Sequence, residues 1–362
     1  MTFEKVNEIL AREDIPEDFK KIAKKVVREE KLSKREIVYL LKIADPIEKS
    51  ELFELADALR KDKVGEMVLV KGIIEFSNYC KKNCTYCGIR VSNKVRRYRM
   101  KPDEIVKRAR EVSEFGVDTI ILQSGEDPFY TTETIVDIVR KIKNATKKPI
   151  SLSIGERSVE EFKLFKEAGA SKYLLKQESV NPRVFKNVHG EDYERRISLL
   201  KSLVSLGYVT GGGNIIGLPG QTLEDIADDI IFMRDIGVQM AGIGPFIPTK
   251  GTPLEKYPRG SADITLKTYA CTRLAIPTIL MPSTTALGTI DPMLQYEGLE
   301  VGCNVIMVNF TPQKYKRNYV IYDNKRDVEF YQTVRELLER NKKLSPLVLK
   351  AAMEGHKKGG TT

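Results

Sequence analysis

Tryptophan is absent from this chain, histidine occurs only at positions 189 and 356, and five cysteines are spread over 362 residues. The lone histidines leave no Cys or His pair at the spacing that would close a four-ligand zinc site. So few cysteines in a chain this long do not make a secreted disulfide framework, which implies a reduced compartment. No stretch approaches the roughly 18 apolar residues of a membrane span, and MTFEKVNEILARED lacks the apolar centre of a signal peptide. A cytoplasmic protein with no membrane partner is expected. A long block of one charge is also missing: the 60 Lys and Arg exceed the 50 Asp and Glu for a formal charge of +10, but stretches such as REEKLSKRE mix the signs. That balance reads as a solvated surface rather than a nucleic-acid face. Frequent Lys and Glu without Trp also fit a heat-adapted source.

What is present is a change of texture near residue 66. Before it, apolar residues recur at helical spacing, as in Ile37, Leu40, Leu41 and Leu52, Leu55, Ala56, Leu59, so residues 1–65 read as an amphipathic helical extension. After it, eight short β-rich runs alternate with helix-like stretches: VLVKGIIEF, DTIILQS, ISLSIG, YLLKQES, GGGNIIG, AGIGPF, ILMPSTTA and NVIMVNF. Eight alternations over about 245 residues match the size of a complete (β/α)8 TIM barrel, here residues 66–312, followed by a C-terminal helical segment at 313–362. A doubly wound open sheet is the alternative. In a barrel, reactive residues gather at the C-terminal ends of strands, so the cysteines, Ser124-Gly125-Glu126, Glu156, Glu178 and Ile247 all point at one mouth.

The most informative element is FSNYCKKNCTYCGIR, in which Cys80, Cys84 and Cys87 are spaced C-x3-C-x2-C. Three thiolates can hold three irons of a four-iron cluster and leave the fourth open to chemistry. Tyr86 can cover such a cluster or a nucleobase, or pack within the loop. Cys271, in a helix, and Cys303, beside a strand, read as small core residues. Lys176 is a cation on a strand expected to face the barrel interior, which is expensive without an acid or anion. Thr284 and Thr285 lie in a strand-like run that should turn one hydroxyl inward, so with Lys176 they are candidates for a substrate cavity.

The cysteine loop resembles the radical S-adenosylmethionine (SAM) superfamily. With RRYRM, LQSGEDPFY, GLPGQT, GIGPFIP, TTALGTI and NVIMVNFTP, it looks like the group that holds the [FeFe]-hydrogenase maturase HydE, HmdB of [Fe]-hydrogenase assembly and the methylornithine synthase PylB. The likeness spans roughly residues 50 to 320. It implies that Cys80, Cys84 and Cys87 bind one [4Fe–4S] cluster and that SAM completes its coordination. It also implies that Tyr86 lies by the adenine, that Ser124, Gly125 and Glu126 meet the amino group, that Glu178 and Ile247 contact the cofactor, and that Arg195 pairs with the carboxylate. A 5′-deoxyadenosyl radical, an external one-electron reductant, a small-molecule or organometallic substrate and other hydrogenase maturation proteins as partners follow from the same resemblance. PylB-like amino-acid rearrangement is the alternative, and an RNA-binding reading rests on charge alone. Two departures stand out. HydE carries Arg and His where this chain has Lys176 and Gln177, and no cysteine follows Cys303 to hold an accessory cluster.

Overall fold

The computed structural model describes residues 1–190 and 192–359, the last five by backbone alone. Four helices come first: α1 Thr2–Ala11, α2 Glu17–Val27, α3 Lys34–Lys42 and α4 Pro46–Val64. Their starts are written locally. Ser33 and Glu36 form a capping box ahead of α3, and Asp45 caps α4 with Pro46 in its first turn. The apolar stripes of α3 and α4 face two later helices, α10 Leu223–Ile236 and α11 Ala262–Ala275.

The parallel sheet begins with β1 Leu69–Ser77 and continues with β2 Thr119–Ser124, β3 Ile150–Ser153, β4 Ala170–Leu174 and β5 Val209–Gly212; β7 Met240–Ala241 and β9 Val305–Asn309 complete it. The spatial order is β7-β5-β4-β3-β2-β1-β9, every pairing parallel. Two short strands, β6 Ile215–Ile216 and β8 Gly244–Pro245, pair separately just beyond β5 and β7. Helices α5 Pro102–Glu114, α6 Thr132–Thr146, α7 Val159–Ala168, α8 Pro182–His189 and α9 Tyr193–Ser205 make the crossovers between β1 and β5. One apolar core runs continuously from Val6 to Val348.

The seventh run expected from sequence, ILMPSTTA, is not a ladder strand. It makes isolated parallel bridges at Leu280 to Met240 and at Pro282 to Val305. Pro282 has no N–H to donate, and the chain turns at once into α12 Thr285–Ile290 with Thr284 at its N-cap. The described architecture is therefore a curled seven-stranded parallel sheet whose two edge strands both bridge to this segment. Thr284 and Thr285 stand at a helix start rather than on a strand.

Candidate active site

Strand alternation on β1 decides what enters the site. Gly72 faces outward, where a β-carbon would lie 2.5 Å from Val112 Cγ1 and 3.1 Å from the Phe310 ring, while Ile73 and Glu75 line a cavity of about 370 Å³. The loops after the strands close around that cavity. Cys80, Cys84, Tyr86 and Cys87 reach it from the β1 loop, and Ser124, Gly125 and Glu126 from the end of β2. Lys176 and Glu178 reach it from beyond β4, as do Ile247, Thr284 and Thr285 from the far side.

The cysteine loop is held rigidly by its own arginine. Arg97 donates through Nη1 to the carbonyls of Asn78 (2.5 Å) and Ile89 (2.8 Å), and through Nη2 to those of Arg90 (2.6 Å) and Asn93 (3.1 Å). The backbone of Glu126 seals it from the next loop, its carbonyl accepting from Lys81 N at 2.9 Å and its N–H donating to Cys80 Sγ at 3.3 Å. Gly125 is required for this approach: a β-carbon there would lie 2.2 Å from the Tyr79 carbonyl oxygen and 2.7 Å from Cys80 Cβ.

All five cysteines are free. Burial pushes the three loop thiols up, Cys87 to about 12, and in Cys84 the neighbouring Cys87 and Cys80 push the same way. Three buried thiols on one loop, one of them accepting a backbone N–H, form a donor set that needs a cation to become thiolates. Among the described residues no three His, Cys, Asp or Glu side chains converge on one point as a single metal ion would require. Sulfurs at the corners of a multi-iron cluster need no such convergence.

Beside the thiols lies a dense charge network. Glu126 Oε1 accepts from Glu156 N at 2.9 Å, while its Oε2 is buried without a hydrogen-bond donor and 3.5 Å from Lys82 Nζ. Burial raises the Glu126 pKa. Gly155 makes room for this side chain, since a β-carbon would sit 2.0 Å from Glu126 Cγ and the residue has φ +76°. Burial also pushes the Glu156 carboxyl up, but Arg196 and Lys82 hold it net below the usual carboxylate range. Glu178 adopts φ +60°, sparsely populated for a residue with a side chain, and takes a bond from Tyr86 Oη at 3.2 Å and an ion pair from Lys176 at 2.9 Å.

The arginine that enters the site is Arg196, not Arg195. Arg195 is 55% exposed at its side chain, touches only the edge of Glu156 at 3.4 Å, and does not line the cavity. Arg196 is buried and donates Nε to Glu156 Oε1 (2.7 Å), Nη1 to the Lys176 carbonyl (2.6 Å) and Nη2 to His189 Nε2 (2.9 Å). Those three bonds leave one N–H on each terminal nitrogen, a fork suited to a carboxylate. The signal was present in the sequence. After the Asp192 N-cap, the buried face of α9 runs through Arg196, Leu199, Leu200 and Leu203, a spacing that includes 196 and omits 195.

The opposite end of the cavity comes from a segment that sequence placed outside the barrel. Tyr319, Tyr322, Lys325 and Arg326 all line it. Asn78 Nδ2 donates to the Asn318 carbonyl at 2.7 Å, and Gly88 N donates to that of Ile321 at 2.9 Å, so the cysteine loop itself pins this segment in place. Lys325 pairs with Glu75, which is 1% exposed and also bonds Asn309 Nδ2 at 3.1 Å. Gln177, fully buried, takes no part: its Oε1 accepts from Gly213 N at 2.8 Å and splints the break between β5 and β6. Cys271 and Cys303 are fully buried in the core.

Comparison with known proteins places this geometry. Residues 74–233 match the model of the Radical SAM superfamily. The chain is 46% identical over 303 residues to the [FeFe] hydrogenase maturase subunit HydE of Thermotoga maritima, covering 82% of this chain and 87% of that one. It is 28% identical to the 3-methylornithine synthase of Methanosarcina acetivorans, over 80% and 83% of the two chains. Among solved structures, methylornithine synthase superposes with a TM-score of 0.81 at 25% identity, over 91% of this chain and 99% of that one.

Proposed function

Because the chain belongs to the radical SAM superfamily, and within it to the family of HydE, we propose that it is a hydrogenase maturase acting in the biosynthesis of a hydrogenase iron cofactor. It is a radical SAM enzyme and uses a [4Fe–4S] cluster and SAM. Bound there, cluster and nucleotide supply one-electron cleavage of a C–S bond, giving a 5′-deoxyadenosyl radical. The protein's part is binding and shielding.

Cys80, Cys84 and Cys87 hold the cluster. The buried, donorless Oε2 of Glu126 takes the cofactor's amino group, and the open fork of Arg196 takes its carboxylate. Tyr86 and Ile247 flank the nucleoside, with Glu178 fixed between Tyr86 and Lys176. The substrate fills the remaining space toward Thr284, Thr285 and Lys325. Hydrogen bonds from Leu280 N to the Gln239 carbonyl (3.0 Å) and from Ser283 N to that of Val305 (3.0 Å) support a ring closed on all sides, which keeps water from the radical. We take residues 1–65 as an extension, 66–312 as the catalytic barrel and 313–362 as a tail whose first residues seal it, in a cytoplasmic setting that keeps the cysteines reduced.

The observation that carries the assignment is 46% identity over most of both chains. In a host deleted for its own HydE, this chain is expected to restore [FeFe]-hydrogenase activity. No restoration, with 3-methylornithine formed by the purified enzyme instead, assigns it to the other relative.

A further inference from the structure

The even mixing of charge has one local exception. From Phe76 to Pro102 the chain carries eight Lys and Arg and no Asp or Glu, and this is the loop that bears the three thiols. Three of the eight are used inward: Arg97 ties the loop, Lys82 reaches Glu156, and Arg99 pairs with Asp127. Others face out. Lys94 and Arg96 are exposed and make no ion pair among the described residues, and Lys81 is 58% exposed with its nearest carboxylate 3.9 Å away. Arg90 gives its Nη2 only to the Asn83 carbonyl. The loop that carries them is drawn together, because Val91 N bonds the Lys82 carbonyl at 2.9 Å and Arg97 gathers the carbonyls of Arg90 and Asn93.

Two apolar features accompany the charge. Val91 and Phe129 are each 55% exposed. Phe129 belongs to the loop after β2, and the Arg99 guanidinium lies 4.7 Å from its ring centre and 3.7 Å from that of Tyr79, the residue before Cys80. Positive charge around exposed apolar and aromatic groups is the make-up of a protein-docking surface rather than of a plain solvated one.

We infer that the outer face of the cysteine loop, made by Lys81, Arg90, Lys94 and Arg96 around Val91, docks an acidic one-electron carrier protein that reduces the cluster. This rests on the radical SAM reading above. One electron leaves the carrier, oxidising it by one unit, and enters the cluster, lowering its charge by one; no bond is made and no proton moves. The loop suits this task because it carries the three thiols themselves. Steering by opposite charge raises association rates by about 10 to 10³-fold and is lost as salt screens it.

The test uses the reconstituted holoenzyme with an acidic plant-type [2Fe–2S] ferredoxin as probe. Binding of oxidised ferredoxin is measured by calorimetry at low and high salt, and electron transfer from reduced ferredoxin by stopped flow. The double variant Lys94→Glu, Arg96→Glu, both away from the cofactor-binding groups, is expected to bind at least tenfold more weakly and accept electrons at least tenfold more slowly at low salt. Its 5′-deoxyadenosine yield with dithionite stays as in the unmodified enzyme. Equal binding and rates in the two proteins overturn the inference. So does RNA binding that the double variant loses while ferredoxin rates hold, which would assign the face to nucleic acid. Failure of the unmodified enzyme to make 5′-deoxyadenosine with dithionite would instead remove the radical SAM reading itself.

Discussion

The two ends of the cavity are built in opposite ways. At the thiol end, Cys80, Cys84, Cys87 and Tyr86 come from eight consecutive residues and are fixed by bonds inside the same loop, chiefly those of Arg97. At the far end, Lys325 meets Glu75 and Arg326 meets Gln295 (2.8 Å), partners 250 and 31 residues apart, on a segment without regular secondary structure. The first end is centred on a local motif, which a few backbone bonds then tie to Glu126 and Ile321. The second exists only after the sheet has curled and the C-terminal segment has crossed its mouth. Variation that changes the substrate without changing the initiating chemistry is therefore expected at the far end.

The sharpest way to break this comparison is at Arg196, which belongs to the thiol end yet comes from a helix more than a hundred residues later. Arg196→Ala leaves Glu156 buried without its closest cation, and removing one partner of such a pair costs about 3–5 kcal/mol of stability. SAM affinity should also fall by roughly a hundredfold, the equivalent of about 2.7 kcal/mol, as measured by equilibrium binding. Arg195→Ala, at a half-exposed site, should change either quantity by less than about 0.5 kcal/mol. Equal effects in the two variants would return the assignment to Arg195.

Lys325→Ala probes the far end. It strips the cation from a buried Glu75 and should lower stability by about 3 kcal/mol, with the double variant Glu75→Gln, Lys325→Met recovering much of it. Cofactor cleavage measured without substrate should persist in the double variant while hydrogenase activation is lost. Loss of both would mean that the two ends are not separable. Gly155→Ala, placing a methyl on Glu126 at φ +76°, should cost about 1–3 kcal/mol and weaken SAM binding together with stability.

The last test is a slope. Burial, then the neighbouring Arg196, lowers the His189 pKa to about 3, so this imidazole is neutral in the folded protein. Between about pH 6.5 and 3 the unfolded chain binds one proton more than the folded chain. Stability should therefore fall as pH drops through that window, by about 1.4 kcal/mol per unit for this group. His189→Gln should flatten the dependence between pH 6.5 and 5 in denaturant titrations, and an unchanged slope would place the charge elsewhere.

This contrast also explains what could be read in the sequence. The cysteine spacing, the residues that end β2 and β4, and the alternation of strands and helices are local, and local physics writes them into neighbouring residues. Arg195 is the residue the resemblance implies, whereas the buried spacing of α9 selects Arg196, whose partners Glu156 and His189 lie on other elements. Thr284 and Thr285 read as part of a strand because the apolar run Ile279-Leu280-Met281 precedes them, whereas Pro282 and the α12 start decide otherwise. Tyr319, Tyr322 and Lys325 show no period at all, since their positions depend on Asn78, Gly88 and Glu75 far back in the chain.

The claim at the centre of this account is that three thiols and a SAM cradle form one initiating site. Anaerobic protein reconstituted with iron and sulfide, reduced with dithionite and given SAM, is assayed for 5′-deoxyadenosine. The account predicts product from the unmodified chain and none from Cys84→Ala; equal product from both would contradict it.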